Sequence, residues 1–288
     1  MTRQQLIDQI FAKGTYLCVG LDTDPDKIPD HLKGQPDAVF EFNKAIIDAT
    51  KDYCVAYKIN TAFYEAQGLK GWEVMDRTVR YIPATHFTIA DAKRGDIGNT
   101  STQYAKAFFE ALPFDAITVA PYMGADSVRP FLEYEDKWAI MLGLTSNPGA
   151  RDFELLDCSR RQDVLVDGVH TQPRAEGKLF EFVLQKGVEW GSSGNLMFVV
   201  GATQAAAFAQ IRASTPDHFY LVPGVGAQGG SLKDISEAAL TADCGLLVNA
   251  SRAIIYASEG EDFAQEAAAI AQQYAFEMKG YLDGIRRI

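Results

Sequence analysis

Three charged residues in one short stretch could do chemistry together: Asp91, Lys93 and Asp96, in the run Asp91-Ala92-Lys93-Arg94-Gly95-Asp96-Ile97. The apolar residues 86–90 before them read as a buried strand. Asp91 and Lys93 are two apart, so at a strand end their side chains leave on one face. Gly95 permits a sharp turn that brings Asp96 back toward the pair. Two carboxylates around one ammonium favour the charged form of the lysine. The bland alternative is a solvated charged loop, since ion pairs of that kind are common.

An element must hold this stretch in place, and the chain supplies eight of strand length. Continuous apolar runs cover 16–21, 53–57, 86–90, 116–120, 139–144, 196–200, 219–222 and 245–248. Unbroken rather than alternating apolar character is expected of parallel strands covered on both faces. Helical spacing separates most of them. Val39, Phe42, Ile46 and Ala49 share a face, as do Trp72, Met75, Val79 and Ile82, and Ala205, Phe208 and Ile211. Near the C-terminus, Phe263, Ala267, Ile270, Tyr274, Met278, Tyr281 and Ile285 form a stripe that reads as core-facing.

Alternating strands and helices leave two architectures, a closed (β/α)8 TIM barrel and a doubly wound open sheet. Asp22, Lys58 and Asp91 decide between them. Each stands at the C-terminal end of an apolar run, and in a barrel those ends ring one mouth, where active sites sit. The expectation is one barrel domain over residues 1–288. It carries a long polar loop at about 149–174, read as a surface excursion or an active-site lid.

Two loops suggest a phosphate site. Pro223-Gly224-Val225-Gly226-Ala227-Gln228-Gly229-Gly230 follows the seventh run, and Asn249-Ala250-Ser251-Arg252 follows the eighth. Barrel phosphate sites commonly form from these two loops. Glycines such as Gly226 let backbone N–H groups approach an anion, and Arg252 could grip it bidentately. The alternative for the glycines is a tight turn. The Lys-Ser/Thr ending of a P-loop is missing, as is a second dinucleotide signature.

Composition narrows the classes. Hydrophobic residues make up 47% of 288 residues, as in an ordinary soluble globule. A net charge of -11 argues against a nucleic-acid surface while leaving room for one local basic pocket. No apolar run approaches the roughly 20 residues needed to span a bilayer, and the first residues are too polar for a secretory signal. Cys18, Cys54, Cys158 and Cys244 make no CxxC pair, and the four histidines have no paired ligand spacing. The expectation is a cytoplasmic protein in a reducing compartment.

Taken together, Lys58 in Tyr57-Lys58-Ile59-Asn60, the Asp91-x-Lys93-x-x-Asp96 motif, Thr145-Ser146-Asn147-Pro148-Gly149, the 223–230 loop and Arg252 make the chain recognisable. It resembles the orotidine 5′-monophosphate decarboxylase family, in its longer bacterial branch, over essentially its whole length. The resemblance implies conversion of orotidine 5′-monophosphate to uridine 5′-monophosphate and CO2 without metal or organic cofactor. It implies that Lys93 protonates C6 of the pyrimidine and that Asp91 faces the substrate carboxylate. Asp22 and Lys58 would hold ribose hydroxyls, Ser146 would contact the pyrimidine, and Gln228 and Arg252 would hold the phosphate. It also implies a homodimer in which Asp96 and Thr100 enter the neighbouring subunit's site. Two rivals stay open. Mg²⁺-dependent sugar-phosphate decarboxylases and synthases of the same barrel group share Asp-x-Lys-x-x-Asp, but carry an acidic residue where Lys58 stands. A catalytically silent nucleotide-phosphate binder is the other.

Overall fold

In the computed structural model, eight parallel strands close into a barrel. They are β1 (Leu17–Gly20), β2 (Ala56–Asn60), β3 (Phe87–Arg94), β4 (Ala116–Val119), β5 (Trp138–Leu144), β6 (Leu196–Val200), β7 (Tyr220–Pro223) and β8 (Leu246–Ala250). Each pairs with the next, and β8 pairs back onto β1 with Leu17 beside Val248. The structure describes residues 1–161, 164–166, 169–171, 174–226 and 229–285. Side chains are described for these except at 160, 161, 164–166, 169–171, 174, 204 and 205.

The strands form because their residues are buried from both sides. β4, β6 and β8 are buried along their whole length. The helices between them turn their apolar faces inward: Val39, Phe42 and Ile46 are buried on Ala38–Thr50, and Val74, Met75 and Val79 on Gly68–Tyr81. On the last helix, Phe263–Ile285, the buried line is Phe263, Ala267, Ala271, Met278 and Leu282. Ile270, Tyr274 and Tyr281 flank it, half-buried, so the face expected from sequence is rotated slightly.

The N-terminal helix, Arg3–Lys13, closes the end of the barrel opposite the mouth. It begins at a capping box between Thr2 and Gln5 and stops at Gly14 in the left-handed conformation. Lys13 Nζ donates to the carbonyls of Lys51 and Cys54, just before β2. The Met1 ammonium pairs with Asp115, just before β4, at 2.8 Å.

Four expectations change. β2 runs through Lys58 rather than stopping before it, and β8 takes in Asn249 and Ala250. β3 does not end at Ala90 but continues through Arg94, so the charged motif is part of the strand. The polar segment after β5 is not a structureless loop. It holds a 3-10 turn, Pro148–Asp152, and antiparallel pairings of Asp157–Arg161 with Arg174–Lys178 and of Val164–Val166 with Val169–Thr171. Its base is fixed by Glu154, whose carboxylate accepts from the Thr145 amide at 2.7 Å and from the Thr145 hydroxyl.

Candidate active site

Asp22, Lys58 and Asp91 meet at the barrel mouth although they lie on three separate segments. Lys58 Nζ is 3.1 Å from Asp22 Oδ1 and 3.1 Å from Asp91 Oδ2. Asp91 Oδ1 in turn accepts from Lys93 Nζ at 2.6 Å. The result is a line of alternating charge, Asp22–Lys58–Asp91–Lys93. Its inner ammonium is 4% exposed at the side chain and its outer one 51%.

The electrostatics follow from that burial. Desolvation alone would lower the Lys58 ammonium, but the carboxylates of Asp22 and Asp91 outweigh it and hold Lys58 above the ordinary lysine range. Burial would likewise raise the Asp91 carboxyl. The ammoniums of Lys58 and Lys93 reverse that and hold it well below the usual carboxylate range. Both inner groups are therefore fixed charges at neutral pH.

The lysine flanked by two carboxylates is thus Lys58, not Lys93 as the motif spacing suggested. Asp96 does not fold back onto the pair. The Asp96 carboxylate accepts from the Ile97 amide at 2.7 Å and makes no ion pair among the described residues. The expected role of Gly95 changes too: a Cβ there would lie 3.0 Å from the Ala120 carbonyl oxygen, so the glycine serves close approach, and the positive φ, 50°, belongs to Gly98. Asp91 and Lys93 do meet, but not as extended neighbours. Lys93 has φ 49°, a left-handed backbone that costs a non-glycine residue about 1–3 kcal/mol and concentrates at functional sites.

A cavity of about 200 Å³ opens beside this line of charge. One wall is Asp22, Lys58, Asn60 and Asp91; the other is Pro223, Gly224, Val225, Asn249, Ser251 and Arg252. Arg252 makes no ion pair among the described residues and is exposed at the cavity's rim. The loop after β7 is a tight turn. The amides of Gly226, Gly229 and Gly230 donate to carbonyls of the loop itself, with positive φ at Gly224, Gly226 and Gly229. Those three N–H groups are occupied by the loop's own carbonyls, which leaves Arg252 as a cation at the rim beside them. Gln228 lies outside the described residues. Thr100 is exposed on the helix Asn99–Lys106, and Ser146, after β5, packs against Gly201, after β6. Neither borders the cavity.

Several residues that fix the site carried no sequence signal for that role. Tyr256 Oη accepts from the Asp24 amide at 2.8 Å and donates to the Asp22 carbonyl. Thr23, Asn43, Tyr64 and Thr78 form a buried hydrogen-bonded set under the same loop. Gly20 must be glycine for packing: a Cβ there would come within 1.8 Å of Ser251 Oγ. Asn249 Nδ2 donates to the Cys18 carbonyl and so ties β8 to β1 where the barrel closes. Neutral polar residues are scattered everywhere in the chain, and only pairing across the barrel singles these out. Among the described residues, no group of three or more His, Cys, Asp or Glu side chains is placed to hold a metal ion. No helix among them is long and apolar enough to cross a membrane.

A closed barrel with a fixed line of charge at the carboxyl ends of β1, β2 and β3 defines a (β/α)8 enzyme. The comparisons with known proteins give its family. The family model described as orotidine 5′-phosphate decarboxylase / HUMPS matches residues 15–268, and the chain belongs to that family. A curated relative from Bacteroides fragilis, named orotidine 5′-phosphate decarboxylase, is 52% identical over 99% of this chain and 100% of its own length. One of the same name from Flavobacterium johnsoniae is 54% identical over 98% of this chain and 99% of its own. Among solved structures, the Leishmania donovani OMP decarboxylase superposes with a TM-score of 0.75 at 36% identity, covering 96% of this chain and all of that one.

Proposed function

We propose that this chain decarboxylates orotidine 5′-monophosphate to uridine 5′-monophosphate and CO2, in the synthesis of pyrimidine nucleotides and in the cytoplasm. The observation that carries this reading is the Asp22–Lys58–Asp91–Lys93 line at the mouth, with an ammonium at its open end. Loss of CO2 from C6 leaves an sp² carbanion that the pyrimidine ring cannot delocalise. Without a cofactor to act as electron sink, stabilisation has to come from charge already in place. The Lys93 ammonium supplies that charge beside the carbon and then its proton, leaving the C6–H product. Asp91 is an anion on the substrate side of Lys93, and Lys58 keeps it one. The reading needs no ground-state repulsion between Asp91 and the departing carboxylate.

The cavity walls divide the rest of the substrate between them. Asp22 and Lys58 take ribose hydroxyls, and Arg252 takes the phosphate, with Gly226 shaping the loop beside it. Ser146 and Gln228 are assigned to the pyrimidine and the phosphate on the family pattern. A phosphate held away from C6 contributes binding energy that acts at the transition state. Asp96 and Thr100 are assigned to the second site of a homodimer. In support, both are exposed or half-exposed, and the Asp96 carboxylate makes no ion pair within its own chain among the described residues.

Assay of the purified protein with orotidine 5′-monophosphate, with and without EDTA, tests the reading. Turnover that EDTA leaves unchanged is the expected result. Turnover abolished by EDTA and restored by Mg²⁺ points to the sugar-phosphate group of the same family. Tight binding of uridine 5′-monophosphate without turnover points to a silent binder.

A further inference from the structure

Thr118 stands on β4 opposite an irregularity in β3. The ladder pairs Ala90 with Ile117 and next pairs Arg94 with Val119, so β3 advances further than β4 between the two contacts. Asp91, Ala92 and Lys93 fill the surplus, and Thr118 is the residue of β4 that faces them. In a regular ladder the Lys93 amide would donate to a backbone carbonyl. Here it donates to Thr118 Oγ1 at 2.9 Å, and the same hydroxyl donates to Asp91 Oδ1 at 3.0 Å. The hydroxyl has one proton to give, and that proton goes to the carboxylate while a lone pair accepts the amide. Thr118 is buried, so water does not compete for either bond.

We infer that Thr118 is a positioning residue for the reaction. Its single oxygen holds Lys93 in the left-handed conformation and aims the Asp91 carboxylate, so that ammonium and carboxylate stay 2.6 Å apart beside the cavity. Packing alone does not call for a hydroxyl here, because valine has the same branched shape and suits a buried strand equally well. The inference rests on the decarboxylase reading for the reaction, but not for the geometry.

Thr118→Val removes the hydroxyl and keeps the shape; Thr118→Ser keeps the hydroxyl and removes a methyl. The expected result for the valine variant is a kcat lower by about tenfold to a hundredfold with KM changed less than about threefold, as for loss of a hydrogen bond to a charged group. The serine variant should stay within about threefold of wild type, a rescue that a purely structural methyl would not give. Should valine fail to fold, Thr118→Ala carries the same prediction. A valine kcat near wild type, or a serine variant as slow as valine, overturns the inference. A crystal structure of the hydroxyl-free variant reads the same claim without the reaction: the Lys93–Asp91 contact should open and the Lys93 backbone should move. An unchanged Lys93 and Asp91 there overturns it as well. A wild-type protein that leaves orotidine 5′-monophosphate intact would overturn the decarboxylase reading alone, since the crystal structure would still decide the positioning claim.

Discussion

Replacing Lys58 with methionine removes the charge at the centre of the site while keeping most of its volume. The two carboxylate oxygens it separates each lie 3.1 Å from Nζ, so they are at most twice that distance apart. Left to face each other there, they repel by about 3 kcal/mol at an effective dielectric constant of about 20. Breaking a buried ion pair by removing one partner typically costs about 3–5 kcal/mol, so repulsion accounts for most of the expected loss. Urea unfolding of Lys58→Met should therefore show a destabilisation of about 3–5 kcal/mol near neutral pH, with a melting temperature lower by about 10 °C.

The pH dependence sharpens the test. In the wild type the folded Asp91 carboxyl lies below its unfolded value. Its contribution is present above the unfolded value of about 3.9 and is lost as pH falls below it. The folded Lys58 lies above its unfolded value. Its contribution is present below about pH 10.4 and is lost as pH rises beyond that. The gap between wild type and Lys58→Met should accordingly be widest between those limits and narrow on both sides. A variant within about 1 kcal/mol of wild type near neutral pH, or a gap that is flat from about pH 3 to about pH 11, would refute Lys58 as the fixed charge of the site.

Lys93→Ala should abolish most turnover yet melt within a few degrees of wild type, because its ammonium is half exposed and Lys58 still neutralises Asp91; circular dichroism with a decarboxylation assay checks both, and near-normal kcat would sink its assigned role. Arg252→Ala should weaken turnover of the nucleotide far more than that of the phosphate-free nucleoside, as equal losses on the two substrates would place the arginine's action elsewhere. For the shared site, inactive Lys93→Ala and Asp96→Ala chains are refolded together in equal amounts. Random pairing makes about half the dimers hybrid, each with one intact site, so about a quarter of wild-type activity should return. Hybrids that form on gel filtration but stay inactive would mean that Asp96 serves its own subunit.

The eight apolar runs were legible because a strand covered on both faces has no polar positions to interrupt it, and β4, β5 and β6 fall within a residue of where the runs predict them. The polar residues that stop those runs were legible for the same reason. A charge at the end of a buried parallel strand must face a mouth, which put Asp22, Lys58 and Asp91 in one place before any distance was known. The family was legible because several such residues recur in fixed order, a signal that none of them carries alone.

Pairing was beyond the sequence, because it depends on how far one strand slides against the next. Lys58 reaches Asp22 and Asp91 across 36 and 33 residues of chain, and only barrel closure and the β1–β2–β3 register make those separations 3.1 Å. Local spacing set Lys93 between Asp91 and Asp96, whereas the lysine between two carboxylates is Lys58, between Asp22 and Asp91. The irregularity in β3 was hidden too, since Asp91-Ala92-Lys93 reads equally well as strand or turn. What decides it is the threonine of the neighbouring strand, which captures the Lys93 amide and the Asp91 carboxylate with one hydroxyl. Composition and order determine which chemistry the chain can carry. The closing of the barrel determines which charge neutralises which, because a Coulomb energy depends on distance in space and not along the chain.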